Sequence, residues 1–421
     1  MVSFSVTHVL TCTQIVRCKL LIVGGGAGGC SVAWRFARRL KDKSIIVLEP
    51  SKVHYYQPLF TLVAAGIKKF SQSHRPLCSV LPRDVTWLCD HAQDLDPSNN
   101  VVYTRNGDKI CYEYMVVALG LKNDYDKIYG LKEALEEPTS MVSTIYSPDY
   151  CMKTWCTISR FRGGHALFTF PEMGGKCSGA AQKIMYLSDD YWRRVRDTTS
   201  ITYNTGGNMI FGVPKYATAL TSVACSKRIV VNYGANLVEV NSRGAVFTGP
   251  EGGFITFPYN LLHVTPPMSP PACLAGCEQL ATDAGYLHVD PQTLQHRTFP
   301  NVYGLGDCTS TPNSKTAAAV AVQSHVLEQN LASTMAGKDP IAKYNGYGAC
   351  PMLTSYKGGI LAEFLYDKKV CETFPFDQSK ERSIVYRLNK DIFPRLYWNA
   401  LVKGKWNGPG SVRKLLNPFG R

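Results

Sequence analysis

The chain of 421 residues carries 15 cysteines yet no C-x-x-C pair. That absence removes zinc ribbons and thioredoxin-type redox motifs from consideration. It leaves mostly reduced, buried cysteines with at most one functional pair. No uninterrupted apolar run is long enough to span a bilayer. The nearest, Leu20 to Trp34, is a strand running into a glycine cluster. Any contact with a membrane would be made by lying on its surface. Acidic residues are missing before Asp42, and the first 19 residues hold five Ser/Thr with Arg17 and Lys19. That composition suits a short mitochondrial transit segment over residues 1–17. Charged residues make up only 19% of the chain against 45% hydrophobic. This excludes a disordered protein and allows two or three domains around a large core.

The formal charge of +14 is unevenly spread. Residues 380–421 hold ten Lys/Arg and two Asp/Glu, a local +8, interleaved with Tyr386, Phe393, Tyr397, Trp398, Trp406 and Phe419. Basic residues among aromatics fit anionic lipid or nucleic acid, or a solvated terminal segment. Apolar residues at helical spacing favour a membrane surface, and no nucleic-acid module is recognisable. Three short helices are expected here: Gln378 to Lys390, one opened by Pro394 and one opened by Pro409. Lys403, Lys405, Arg413 and Lys414 would then meet lipid headgroups.

The clearest local pattern is "CKLLIVGGGAGGCSVAWRFARRL". A strand from Leu20 to Val23 runs into Gly24, Gly26, Ala27, Gly28 and Gly29, with the spacing G-x-G-x-x-G. A helix follows with Val32, Phe36 and Leu40 on one face. A second strand, "SIIVLEP", ends in Glu49, 20 residues after Gly29. The glycines let backbone amides and a helix N-terminus approach a pyrophosphate, and the acid receives ribose hydroxyls. The motif alone does not separate NAD from FAD.

Two later stretches resemble the two-dinucleotide-binding-domain flavoproteins. "YMVVALG", ending at Gly120, resembles the strand and turn that close their first FAD segment. "TFPNVYGLGDCT" resembles their late motif, which implies that Asp307 meets the ribityl chain of FAD. Gly304 stands where that family usually has alanine. The resemblance implies a discontinuous FAD domain, residues 18–124 and 295–375, with a second Rossmann-like domain over 125–294. After Asp307, Ser314 is a plausible N-cap, and Lys315 onward reads as a helix aimed at the flavin. An ordinary exposed Lys315 is the plainer alternative. The middle domain lacks a second G-x-G-x-x-G: its best cluster, Gly206, Gly207 and Gly212, does not fit. That counts against NADH as electron donor. Cys151 and Cys156 read as structural, and "RIVVNYGANLVEV", "AVFTG" and "FITFPYNLLHV" read as strands.

In "KCSGAAQKIMYLS" a cysteine with a lysine neighbour precedes a helix. Cys177 is therefore either a small buried hydrophobe or a thiolate of lowered pKa. The stretches "EPSKVHYYQPLFTLVAAG", "KCSGAAQKIMYLS", "LHVTPPMSPP", "SKTAAAVAVQS", "ILAEF" and "ETFPFDQSKERS" together resemble the sulfide:quinone oxidoreductases of mitochondrial type, over about residues 18–421. The fold implied is α/β, with two Rossmann-like dinucleotide-binding domains and a short C-terminal helical, membrane-associating segment over 376–421.

The resemblance implies catalysis by Cys177 and Cys350. It implies FAD held by Gly24, Gly26, Ala27, Gly28, Gly29, Glu49, Gln57, Ala92, Gly120, Asp307 and Lys315, and it implies no metal. Hydrogen sulfide would attack sulfur on Cys350, leaving a persulfide there and Cys177 as thiolate. Electrons would pass through FAD to ubiquinone, and the outer sulfur to glutathione, sulfite or a similar acceptor. The implied location is the mitochondrial inner membrane, peripheral or monotopic. Two rivals remain: a type II NADH:quinone dehydrogenase, which needs a nicotinamide site and neither cysteine, and an inactive flavin-binding relative.

Overall fold

The computed structural model describes residues 14–40, 44–195, 199–249 and 251–417. The expected transit segment falls largely outside these residues, as does Phe419. Its last four positions do not: Gln14 is described, and Ile15 to Arg17 open the first strand, Ile15–Val23, pairing with Lys109 to Cys111. The strand therefore begins five residues before the expected Leu20.

Two parallel sheets organise the chain. In the first, Thr86–Leu88, Ile45–Leu48, Ile15–Val23 and Lys109–Val117 lie side by side in that order, all parallel. Ile45–Leu48 is buried at every position, as a strand covered on both faces must be. The chain returns to this sheet much later, when Val302–Gly304 pairs parallel with Met115 to Val117. Val101–Thr104 and Ala92–Asp96 extend the edge antiparallel. The second sheet is a parallel set in the order Val142–Ser143, Leu261–His263, Gly164–Phe170, Thr199–Thr205 and Val230–Tyr233. Helices Cys151–Arg160, Ser178–Val195 and Pro214–Ser226 belong to this part. Buried Trp192, Tyr186 and Tyr203 help fill the core around it. This is the expected α/β architecture with two Rossmann-like sheets. A two-stranded ribbon, Gly348–Leu353 against Gly359–Phe364, joins the same core.

Two local expectations change. The helix after Asp307 starts at Ala317 and runs to Met335, capped by Thr316 rather than Ser314. Thr316 has the extended backbone an N-cap requires, and its hydroxyl accepts from the Ala319 amide at 3.2 Å. Lys315 precedes the helix, with its Nζ held by the Thr309 and Thr311 carbonyls at 2.7 and 2.9 Å.

The tail also differs. The two expected helices before residue 402 are one continuous helical stretch from Ser383 to Leu401, with widened π turns at Leu388–Ile392 and Tyr397–Leu401. Pro394 has no N–H to give and would clash with the carbonyl four residues earlier, so the helix widens rather than stops. This stretch is fastened to the body. Tyr397, Trp398, Leu401 and Val402 are core residues. Arg35, on the first helix, bonds Glu328 at 2.6 Å, the Trp406 carbonyl at 3.1 Å and Asn407 Oδ1 at 2.7 Å. A final helix spans Gly410–Leu416.

Candidate active site

A cavity of about 680 Å3 lies where these parts meet. Its wall begins at the glycine turn. The first helix, Ala27–Ala37, is capped by Gly26 with no side-chain cap bond, so its amides are open to a ligand. Gly29 is obligatory, because a Cβ there would occupy the space of the Gly24 carbonyl oxygen. Glu49 closes the turn: Oε2 accepts from the Gly25 amide at 2.7 Å and Oε1 from the Ser51 amide at 2.8 Å. Gly26, Ala27, Gly28, Glu49, Gln57, Gly120, Asp307, Lys315, Cys177 and Cys350 all line the cavity. Gly24 and Gly29 stand directly behind it.

Ala92 does not belong to this set. It pairs with Thr104 at the antiparallel edge of the first sheet and packs against a separate hydrophobic cluster. It shares that cluster with Val23, Leu48 and Leu88, the last residues of three neighbouring strands of the first sheet.

At the other end of the cavity Cys177 Sγ and Cys350 Sγ lie 3.8 Å apart, although 173 residues separate them in sequence. Cys177 sits immediately before the helix Ser178–Val195 with φ of +48°, a left-handed conformation costly for a residue with a Cβ. This turn aims its sulfur at Cys350. Gly179 makes room for the partner, since a Cβ there would collide with Cys350 Sγ and Met352 Sδ. Tyr146 holds the turn from below, its hydroxyl donating to the Cys177 carbonyl at 3.1 Å.

The hydrogen bond from the Cys350 thiol lowers the Cys177 pKa from 9.0 to about 6, opposed by burial and helped by the charge of Lys183 and the Ala180 amide. The same pairing, with burial, pushes Cys350 upward. Cys177 is thus the thiolate of the pair and Cys350 the protonated partner. Burial raises Asp307 against the pull of Lys176 and Lys315, and burial lowers both lysines. Lys315 is half-buried and on the cavity wall, not an ordinary exposed lysine.

Several contributing residues escape sequence reading. Lys183 is buried and lines the cavity. Its signal was present as a lysine on the buried side of an amphipathic helix. His54 bridges the glycine turn to the tail: Nδ1 meets the Gly25 carbonyl at 3.0 Å and Nε2 meets Tyr397 Oη at 2.7 Å. The Tyr397 ring packs on Tyr56 with centroids 4.1 Å apart. Tail residues Leu388, Phe393, Leu396 and Val412 complete the cavity with apolar surface. Arg413 is half-buried and faces Glu363 at 3.5 Å. Lys405 and Lys414 are exposed. Among the described residues no cluster of His, Cys, Asp and Glu suits a metal ion.

The residues present fit FAD. Open helix amides suit the pyrophosphate, Glu49 the ribose, and Asp307 with its two lysines a polar chain near the cysteines. The pyridine nucleotide-disulphide oxidoreductase family matches residues 18–149. The chain is 45% identical over 412 residues to a mitochondrial sulfide:quinone oxidoreductase of Mus musculus, covering 96% of this chain and 91% of the relative. It is 41% identical over 407 residues to that of Dictyostelium discoideum, covering 95% and 89%. The crystal structure of the sulfide:quinone oxidoreductase of Aquifex aeolicus superposes with a TM-score of 0.79 at 17% identity, over 96% of this chain and 95% of that one. At that identity the likeness is one of fold.

Proposed function

The chain belongs to the family of mitochondrial sulfide:quinone oxidoreductases, and from that membership we propose that it oxidises hydrogen sulfide at the Cys177–Cys350 pair, using FAD, and delivers the electrons to ubiquinone. The observation that carries this reading is the 3.8 Å approach of the two sulfurs. That separation is a non-bonded contact, longer than the ~2.05 Å of one S–S bond. Because a central sulfur is bent, a bridge with or without an extra sulfur draws the two sulfurs closer than this.

Hydrosulfide attacks the sulfur carried by Cys350. A new S–S bond forms there, the bond towards Cys177 breaks, and Cys177 leaves as thiolate. Lys183 and the Ala180 amide stabilise that charge. An acceptor such as glutathione or sulfite then takes the outer sulfur from Cys350. Lys176 and Lys183 on the wall favour anionic reactants. Bound FAD supplies the two-electron oxidant that returns the pair to its bridged form. The chain's own share is placement: the left-handed turn at Cys177, the gap at Gly179 and the fixed strand bearing Cys350 hold two sulfurs in line.

The apolar half of the cavity, walled by Leu388, Ile392, Phe393 and Leu396, suits a quinone ring and the start of its tail. Outside it, Ile384, Leu415 and Leu416 are exposed, as are Lys405 and Lys414. Among the described residues no helix is long and apolar enough to cross a membrane. These features support seating on the surface of the mitochondrial inner membrane.

An anaerobic visible spectrum before and after sulfide tests the reading. Flavin bleaching by sulfide, lost in Cys177→Ser and Cys350→Ser, is expected. Bleaching by NADH with indifference to sulfide would overturn it.

A further inference from the structure

The ribbon Gly348–Leu353/Gly359–Phe364 presents different chemistry on its two faces. Cys350 and its cross-strand partner Ala362 share one face. Ala349 with Glu363, and Pro351 with Leu361, share the other, and all four line the cavity. A carboxylate thus lies on the ribbon face opposite the Cys350 side chain, and both residues line the one cavity. Only two other acids line the cavity, Glu49 and Asp307, and both stand at the cofactor end.

Glu363 is 3% exposed. Its Oε1 accepts from the Tyr347 hydroxyl at 2.5 Å and the Thr373 hydroxyl at 2.7 Å, and faces Arg413 Nη2 at 3.5 Å. Its Oε2 accepts from the Thr373 amide at 2.8 Å and Gln378 Nε2 at 2.9 Å. Arg413 lies over the Tyr347 ring at 5.3 Å, and its side chain retains 21% exposure. The carboxylate therefore has a phenol leading inward to the cavity and a cation leading outward to water. Burying a carboxylate is expensive, and a ribbon closed by apolar residues would be at least as stable. A role in proton transfer explains the acid; closing the ribbon does not require it.

Resting on the quinone reading above, we propose that Glu363 and Tyr347 are the proton relay to the quinone. Reducing a quinone takes two electrons and two protons. One proton would arrive with the electrons from the bound cofactor, and the second would come through Glu363. As the Tyr347 proton moves to a quinone oxygen, whose C=O bond becomes C–O–H, the Tyr347 oxygen takes a proton that enters from solvent on the Arg413 side and is handed on by the Glu363 carboxylate. Both residues end as they began. The titratable groups facing Glu363 are Tyr347, Arg413 and Cys371, together with Tyr216, whose hydroxyl meets the Glu363 backbone at 3.3 Å; Glu372 and Lys215 lie one bond further out.

The test uses anaerobic stopped flow on the FAD-loaded protein, following reduction by sulfide and reoxidation by a soluble ubiquinone analogue separately. In Glu363→Gln and in Tyr347→Phe, reduction is expected to stay within about twofold and reoxidation to slow at least about tenfold. Infrared difference spectra on quinone addition are expected to show a carboxyl band that Glu363→Gln removes. Unchanged reoxidation in both variants would overturn the relay. So would parallel slowing of both half-reactions with a lowered unfolding midpoint, which is the signature of a residue that only holds the ribbon. Failure of sulfide to bleach the unaltered protein would overturn the quinone reading itself, and it is distinguished by needing no substitution.

Discussion

Replacing Cys350 by alanine is expected to raise the pKa of Cys177. The thiol of Cys350 is the largest cause of the drop from 9.0 to about 6, ahead of Lys183 and the Ala180 amide. The full drop is a ~10³-fold change in the ionisation constant. Removing its leading cause while Lys183 and the amide remain should recover roughly one to two pH units of the titration midpoint. The assay is alkylation of the reduced protein across pH, read peptide by peptide by mass spectrometry. This separates Cys177 from the exposed Cys78, Cys89, Cys156 and Cys225. In the unaltered protein, Cys177 labelling climbs as pH rises through about 6 and is level by neutrality. In Cys350→Ala the climb moves upward. The midpoint is the quantity to compare, because a thiolate of higher pKa is intrinsically more nucleophilic, with a Brønsted slope of roughly 0.4–0.5. A midpoint near 9 in the unaltered protein would refute the assignment of Cys177 as thiolate. An unmoved midpoint in the variant would refute its cause.

Gly29→Ala should drive a methyl into the Gly24 carbonyl, and the flavin-to-protein absorbance ratio of the purified variant should fall well below that of the parent. Tyr397→Phe leaves His54 Nε2 without its partner, which should lower stability by about 1–3 kcal/mol in urea unfolding. Burial holds His54 neutral down to about 4, against an ordinary 6.5. Between those values the unfolded chain binds the extra proton, so stability falls as pH falls, at most by about 1.4 kcal/mol per pH unit. His54→Gln should flatten that acid slope in unfolding midpoints measured from pH 7 to 4.

What could be read from sequence was local. Strand, glycine turn, helix and Glu49 follow one another within 35 residues, and each declares itself by spacing. The meeting of Cys177 and Cys350 follows from no periodicity, because two sheets, a long helix and a ribbon intervene. The cap at Thr316 was missed by two residues, since Ser314 and Thr316 offer the same hydroxyl and only backbone geometry separates them. Ala92 carries no side-chain signature, and any part it plays rests on its backbone. In the tail, Pro409 does open a helix, whereas packing against Tyr56 and His54 carries the preceding helix through Pro394. Glu363 was visible inside "ILAEF" as an acid in an otherwise buried strand, and that is the kind of local inconsistency that marks a working residue.

The bond between His54 and Tyr397 spans 343 residues. During synthesis the glycine turn leaves the ribosome long before the tail that closes its cavity exists. Until residues 383–402 are made, the cradle lacks that part of its wall, and Tyr56 lacks the Tyr397 ring that covers it. A chain cut before Ser383 would keep every strand of both sheets and lose one side of the cavity.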